Sequence, residues 1–412
     1  MDPKEAEWFR TNLKLGDDWS VCDKEYCTSP LMVRVSVSFV GVARCPVCRR
    51  ECPRYDTRER KWRDLDYGHA KCIIVAKIPR VRCETCGIHE IRVSWAGSVS
   101  KLSFSFEQKI VSKIRNTPIS VVSREFGIYD RTVWNIAKHY ADLLMRSLDL
   151  SGLESFCIDE TSSEKGHNYI TNVIDPSCGA VIFSTHGRDG SVLTEFKVWL
   201  IHHNGNPDGI KTVCCDMSPA FVSGISREFP GADIVFDPFH IIHAANDMLE
   251  SVRRKSGIKG KTAKGLRFGF LMNKESLAET EDFEQKVKEV LGSYKDIGRG
   301  YGVKEAVRDF YDIKNPDHAR VFLRALAGYC VNTEIEDIVS FGELIYRHYD
   351  GILAWYGTNM NNGYCEGTNS VIQSMKCSAR GFTNIENMIS LIYLKSSIKH
   401  PSLRNALVLN RI

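Results

Sequence analysis

Two C-x2-C pairs, CPVC (Cys45, Cys48) and CETC (Cys83, Cys86), stand 34 residues apart and constrain this chain more than any other feature. Each C-x2-C turn directs two thiolates towards one point, and two such turns complete a tetrahedral set of four sulfurs that suits zinc and leaves no open position. Of the 15 cysteines, eight (Cys22, Cys27, Cys45, Cys48, Cys52, Cys72, Cys83, Cys86) lie in the first 86 residues. In a reducing compartment such clustering reads as a metal site rather than a disulfide framework, and the odd total points the same way. Cys45, Cys48, Cys83 and Cys86 are thus the expected ligands of one structural Zn2+, with Cys52 the nearest substitute. The bland alternative is a set of unrelated buried cysteines. The intervening RKWRDLDYGHAKCIIVAKIPRVR alternates apolar and polar residues like a hairpin, which would bring the two pairs together. Between Arg44 and Arg82 there are 12 basic residues against five acidic ones, giving this zinc ribbon a positive face.

The chain has 412 residues, room for two or three domains, and its 43% hydrophobic and 26% charged content is that of a soluble globular protein. No apolar run is long enough to span a membrane, and the opening MDPKEAEWFRTNLK lacks the layout of a signal peptide, so a cytoplasmic protein is expected. Net charge is only +4, which permits nucleic-acid binding through local patches without demanding it.

After residue 100 the pattern becomes helical: Phe106, Ile110 and Ile114, then Val121, Val122 and Phe126. PISVVSREFGIYDRTVWNIAKHY reads as helix, tight turn, helix. Gly127 tolerates positive φ at the turn, Ser123 is the small residue facing the second helix, and Val133 and Ile136 turn inward. With Asp130 as N-cap, Arg131, Thr132, Trp134 and Asn135 fall at the start of a DNA-recognition helix, where base edges are read. A plain helical core hairpin is the competing reading.

From Leu153 the chain alternates strand and helix. LESFCID, NYITNVID and GAVIFSTHG read as three consecutive strands, SVLTEFKVWLIHH as a helix, KTVCCD as a strand, a helix starts at Ser218, ADIVFD is a strand, and FHIIHAANDMLESVRR is a longer helix. That order matches a ribonuclease-H-like α/β domain. The next stretch carries Arg253, Arg254, Lys255, Lys259, Lys261, Lys264 and Arg267 with no acidic residue, and residues 275 to 355 are mostly amphipathic helix. The basic run is a candidate grip for DNA phosphates, against the alternative of a solvated loop.

Asp159 and Asp216 each end an apolar strand, SFCID and TVCCD. On neighbouring strands both carboxylates would emerge at one sheet edge, where like charges are unfavourable unless hard divalent cations lie between them. Such a pair of cations can activate a water and stabilise a leaving oxygen in phosphoryl transfer. Glu366, in NNGYCEGTNSVIQSMK near the start of an expected helix, is the best third acid. Glu160 competes with Asp159, and Glu343 and Glu386 compete with Glu366.

The motifs CPVC...CETC, CIDETSSEKGHNY, VCCDMSPAF, ADIVFDPFHIIHAAND and the C-terminal EG-x-N segment followed by ARGF resemble those of the zinc-ribbon DDE transposases of insertion sequences, the ISL-three family. The resemblance covers nearly the whole chain. It implies Asp159, Asp216 and Glu366 as the metal-binding triad for two Mg2+ or Mn2+ ions, and Asp237 with His240 as a D-x-x-H element beside it. It also implies four regions: a zinc ribbon (1–100), a helix-turn-helix (101–150), a ribonuclease-H-like catalytic domain (151–255 and 356–400) and a helical insertion (256–355). The implied function is a nucleoid-associated DNA transposase that binds insertion-sequence ends, cuts and rejoins double-stranded DNA, and works as a homodimer or higher oligomer. A domesticated DNA-binding regulator without transposition activity is the alternative, and an RNA-processing nuclease on the same fold is a third reading.

Overall fold

The computed structural model describes residues 1–97, 99–162, 169–257, 261–272, 274–279, 281–358, 363–379, 381–382 and 384–403, with the side chains at 261–265, 281–282 and 363–366 outside that description. Contacts divide the chain into two compact units, mainly Met1–Ser147 with Cys377–Ile398, and Leu148–Lys376.

The first unit opens with α1 (Pro3–Asn12), capped by the Asp2 carboxylate, and continues as a mixed sheet of β1 (Trp19–Thr28), β2 (Leu31–Phe39), β3 (Arg54–Tyr67), β4 (Ala70–Cys83) and β5 (Gly87–Glu90). The strands lie in the order β1-β2-β4-β3, with β5 on β4. The antiparallel pair β3–β4, turned at Gly68 with φ +60°, is the hairpin that the alternation anticipates. Alternate residues of β4 (Cys72, Ile74, Ala76, Ile78) and of β2 (Val33, Val35, Val37) are buried, because period-2 side chains put them on one face. Cys72 is therefore a core residue, and burial pushes its thiol up to about 12. The pairing of β1 with β2 is not anticipated. Most of β1 is exposed, so its alternation is too weak to read.

Three helices follow: α2 (Phe104–Ile114), α3 (Ile119–Phe126) and α4 (Asp130–Arg146). Ser103 caps α2 by accepting the Phe106 N–H at 3.1 Å, and Phe106, Ile110, Ile114, Val122, Val133 and Ile136 fill the core between the helices. Gly127 ends α3 in the left-handed region at φ +59°, as the turn requires. Two expectations are corrected. Val121 is 39% exposed, because the α3 stripe runs through Ile119, Val122 and Ser123 instead. Asp130 is the first helical residue, not the cap; Tyr129 holds the capping position, and the Asp130 carboxylate accepts the Ser123 hydroxyl across the turn.

The second unit contains β6 (Ser155–Ser162), β7 (Tyr169–Asp175), β8 (Ala180–His186), α5 (Ser191–His202), β9 (Thr212–Cys215), α6 (Pro219–Glu228), β10 (Asp233–Phe236) and α7 (Pro238–Lys255), in the order read from the sequence. The sheet runs β10-β9-β6-β7-β8; β6, β7 and β8 are antiparallel, and β6, β9 and β10 are parallel. The middle of β7 and most of β8 are buried, which accounts for their near-continuous apolar runs. One boundary is corrected: β6 does not end at Asp159 but continues to Ser162, paired with Tyr169 of β7.

Beyond α7 come α8 (Lys261–Leu271), α9 (Lys274–Ala278), α10 (Glu281–Ser293), α11 (Lys295–Asp312), α12 (Pro316–Val331), α13 (Glu336–Arg347), α14 (Tyr349–Leu353), α15 (Trp355–Thr358) and α16 (Gly363–Ala379). Lys304 of α11 is fully buried and donates to the carbonyls of Phe270 (2.9 Å) and Met272 (2.7 Å), satisfying the open end of α8, with Glu305 as counter-ion at 2.7 Å. The last long helix, α17 (Ile385–Ser396), belongs to the first unit and packs on α4. No helix among the described residues is long and apolar enough to cross a membrane.

Candidate metal centre and active site

The sulfur atoms of Cys45, Cys48, Cys83 and Cys86 lie within 4.8 Å of one another, the only such group of three or more potential ligands among the described residues. Cys48 and Cys83 Sγ are 3.6 Å apart, close to the roughly 3.8 Å edge of a tetrahedron with Zn–S bonds of about 2.3 Å. Each turn closes the same way: the residue after its second cysteine has positive φ, Arg49 at 61° and Gly87 at 85°. The amides of Cys86 and Thr85 draw the Cys83 thiol down to about 6, while burial pushes Cys86 up to about 12. Four thiols in so small a volume cannot all ionise without a cation, and the donor set fits zinc. Cys52 lies beside the four but outside the set, and burial raises its thiol.

Strand register builds the second site. Cys157 faces Cys214 across β6–β9, and Cys215 faces Phe236 across β9–β10; continuing both registers sets Asp159, Asp216 and Asp237 side by side. On the other flank Asp159 faces Asn172 of β7, which faces Ser184 of β8. A polar row therefore crosses the sheet on one face, with neighbouring strands about 4.8 Å apart. The Asp159 Oδ1 accepts the Glu160 N–H at 2.8 Å, Asp216 Oδ1 accepts the Ser218 N–H at 2.9 Å, and Asp237 caps α7 through the Phe239 N–H at 3.2 Å. Asp237 Oδ2 stands 4.0 Å from His240 Nε2.

Crowding of carboxylates leaves its electrostatic mark. Burial pushes the Asp159 carboxyl above its ordinary range and Asp216 adds to the push, against the pull of the Glu160 N–H, the Asn369 amide and His240. Burial and then Asp216 push Glu160 up to about 7, with Arg188 pulling the other way. Asn172 is fully buried; its Oδ1 accepts the Ser184 hydroxyl and its Nδ2 has no partner among the described residues.

Helix α16 is tied to β6 at three points. Asn369 Nδ2 donates to Asp159 Oδ2, Thr161 Oγ1 donates to Asn369 Oδ1 at 2.8 Å, and Lys376 Nζ donates to the Ser162 carbonyl. Glu366 is the fourth residue of this helix, and its side chain lies outside the described residues. Glu343 and Glu386, its competitors, are both exposed. Asn369, Thr161 and Asn172 were not singled out by sequence reasoning. The one signal for Asn369 is its place in EG-x-N, three residues after Glu366.

Of the DNA-reading candidates, Arg131 and Asn135 are exposed on α4, and Thr132 is half-buried. Trp134 is also half-buried and stands edge-on to Phe382 at 6.2 Å. In the basic run, Arg253 (2.7 Å), Arg254 (3.0 Å) and Arg267 (3.5 Å) converge on Glu250, whose carboxyl is drawn down to about 2. Lys255 pairs with Asp337 at 2.9 Å and Glu336 at 3.4 Å. Lys259 and the side chains of Lys261 and Lys264 lie outside the described residues.

A four-cysteine cluster whose donor set fits zinc and a row of aspartates across three neighbouring parallel strands are the two features that mark this chain. Residues 156–392 match the ISL3 transposase family, and residues 41–86 match the zinc finger of the transposases of IS204, IS1001, IS1096 and IS1165. The chain belongs to the ISL3 transposase family. Among curated relatives, it is 26% identical over 404 residues to the transposase for insertion sequence element IS1557 of Mycobacterium tuberculosis, with 90% of each chain covered. It is 25% identical over 354 residues to the transposase for insertion sequence element IS1001 of Bordetella parapertussis, covering 83% of this chain and 86% of that one. These matches favour a transposase over a domesticated regulator.

Proposed function

We propose that this chain cuts and rejoins double-stranded DNA at the ends of an insertion sequence by metal-dependent phosphoryl transfer, with Asp159, Asp216 and Glu366 as the metal-holding acids. The observation that carries this reading is the parallel register of β6 and β9, which, continued past Cys157 and Cys214, sets Asp159 of β6 level with Asp216, the residue that directly follows β9. Three antiparallel strands followed by two parallel ones, with helices interleaved, support a ribonuclease-H-like catalytic domain. The tether from Asn369 to Asp159 supports Glu366 as third acid, because Glu366 lies less than one turn before Asn369 along the backbone of the same helix.

Two bound Mg2+ or Mn2+ ions would supply charge neutralisation and a nucleophile at neutral pH. Within the protein, Asp159 and Asp216 offer hard oxygen donors from neighbouring positions on a rigid sheet, which keeps their spacing fixed. Asp237 caps α7 and stands beside His240, which supports the D-x-x-H pair as part of the site next to the row. Water or a freed 3′ hydroxyl is the expected attacking group, with no covalent intermediate on the protein.

Helices α3 and α4 support a helix-turn-helix reader: a left-handed glycine at the turn, with Arg131 and Asn135 exposed at the start of the second helix. The zinc ribbon and the Arg253–Arg267 run add backbone contacts, and action on paired element ends favours a dimer or higher oligomer on chromosomal DNA. The deciding experiment is strand cleavage of a duplex carrying the element's terminal repeats, with Mg2+ or Mn2+. Cleavage by wild-type protein and none by Asp159→Asn or Asp216→Asn supports the reading; full cleavage by Asp216→Asn discards it.

A further inference from the structure

We infer that Asn369 is a positioning residue that orients the Asp159 carboxylate for its cation and tethers the start of α16 to the strand carrying that aspartate. The inference rests on the reading of Asp159 as a metal ligand. Asp159 and Thr161 lie two residues apart in β6 and so share a face of the strand. Asn369 bridges them: its oxygen end accepts from Thr161 at 2.8 Å, which leaves its nitrogen end to donate to Asp159 Oδ2. Thr161 is 3% exposed, so its hydroxyl is held away from competing water and sets which way the amide faces. With the Glu160 N–H on Oδ1, each Asp159 oxygen accepts one hydrogen bond, which leaves each a lone pair for a cation. Lys376, two turns after Asn369, donates to the Ser162 carbonyl, so the same helix face is fixed to β6 twice. Glu366 precedes Asn369 by less than one turn, and the tether that orients one acid also sets the backbone carrying the other. Donors behind metal-holding carboxylates tune affinity by about 10- to 100-fold when removed.

The test uses the full chain. Mn2+ binding without DNA is measured by titration calorimetry, and cleavage of the terminal-repeat duplex is followed at graded Mn2+. Asn369→Ala and Thr161→Val should each weaken Mn2+ binding, and raise the Mn2+ needed for half-maximal cleavage, by about 10- to 100-fold. Thr161→Ser, which keeps the hydroxyl, should restore most of what Thr161→Val loses, and duplex affinity should stay at the wild-type level throughout. If Asn369→Ala fails to fold, the Thr161→Val and Thr161→Ser pair decides, and equal Mn2+ binding by those two overturns the inference. Wild-type Mn2+ binding by a folded Asn369→Ala overturns it as well. Asp159→Asn separates this from the underlying reading: if that variant loses Mn2+ while Asn369→Ala keeps it, only the positioning role falls. If Asp159→Asn also binds Mn2+ normally, the metal site itself is misassigned.

Discussion

Asp216→Asn should make the metal-free protein more stable and the enzyme inactive. Asp216 directly follows β9, level with Asp159 of β6, on strands about 4.8 Å apart. Two like charges about 5 to 6 Å apart repel by roughly 3 kcal/mol at an effective dielectric near 20. Both side chains are partly exposed, so screening leaves about 1 kcal/mol as a realistic share. Removing that repulsion should raise the unfolding midpoint in EDTA by about 2 to 4 °C, the shift expected for a unit of roughly this size. The pH dependence has a definite sign. Burial and Asp216 raise Glu160 to about 7, so the folded form holds this proton longer than the unfolded chain does. Metal-free stability therefore falls as pH rises from the ordinary carboxylate range towards about 7, and Asp216→Asn should flatten that fall. Added Mg2+ should stabilise wild type by mass action and the variant far less. Cleavage should drop by at least about 10²-fold, the scale of losing one preorganised electrostatic group. Scanning calorimetry between about pH 5 and 8, with EDTA or Mg2+, reads the first set of effects, and a strand-cleavage assay reads the last. An Asp216→Asn protein less stable than wild type in EDTA, or one cleaving within about tenfold of it, would refute the argument.

Zinc analysis of purified protein should find about one zinc per chain, and Cys83→Ser should release it and unfold the ribbon; a metal-free but folded ribbon would contradict the assignment. Replacing Arg131 or Asn135 should blur sequence preference in binding assays, whereas neutralising Arg254 and Arg267 together should flatten the salt dependence and leave preference intact. The second effect should be small, since both guanidiniums already face Glu250. Gly127→Val should cost about 1 to 2 kcal/mol in thermal unfolding, the price of a branched residue in the left-handed region, because a side chain there meets no atom within 4 Å; Gly127→Asn should recover most of it.

The sequence by itself determined whatever is local or periodic. The cysteine pairs, the β3–β4 alternation, the left-handed glycine between α3 and α4, and the order of strands and helices from Leu153 to Arg254 all follow from residue spacing. Asp159 and Asp216 stood out because a charged residue is conspicuous at the end of an apolar run. Tertiary structure alone decided which residues become neighbours. Register between strands brings Asp237 and Asn172 into line with the two acids, and no period in the sequence encodes it. The Asn369 amide reaches Asp159 across 210 residues of chain, and the basic run is partly spent on Glu250, Glu336 and Asp337. Such contacts form only after the elements have docked, since the side chains that make them carry no local preference for one another. The pairing of β1 with β2 was hidden because β1 is mostly exposed and carries little apolar alternation, whereas Val33, Val35 and Val37 of β2 alternate and close the ribbon core against β4.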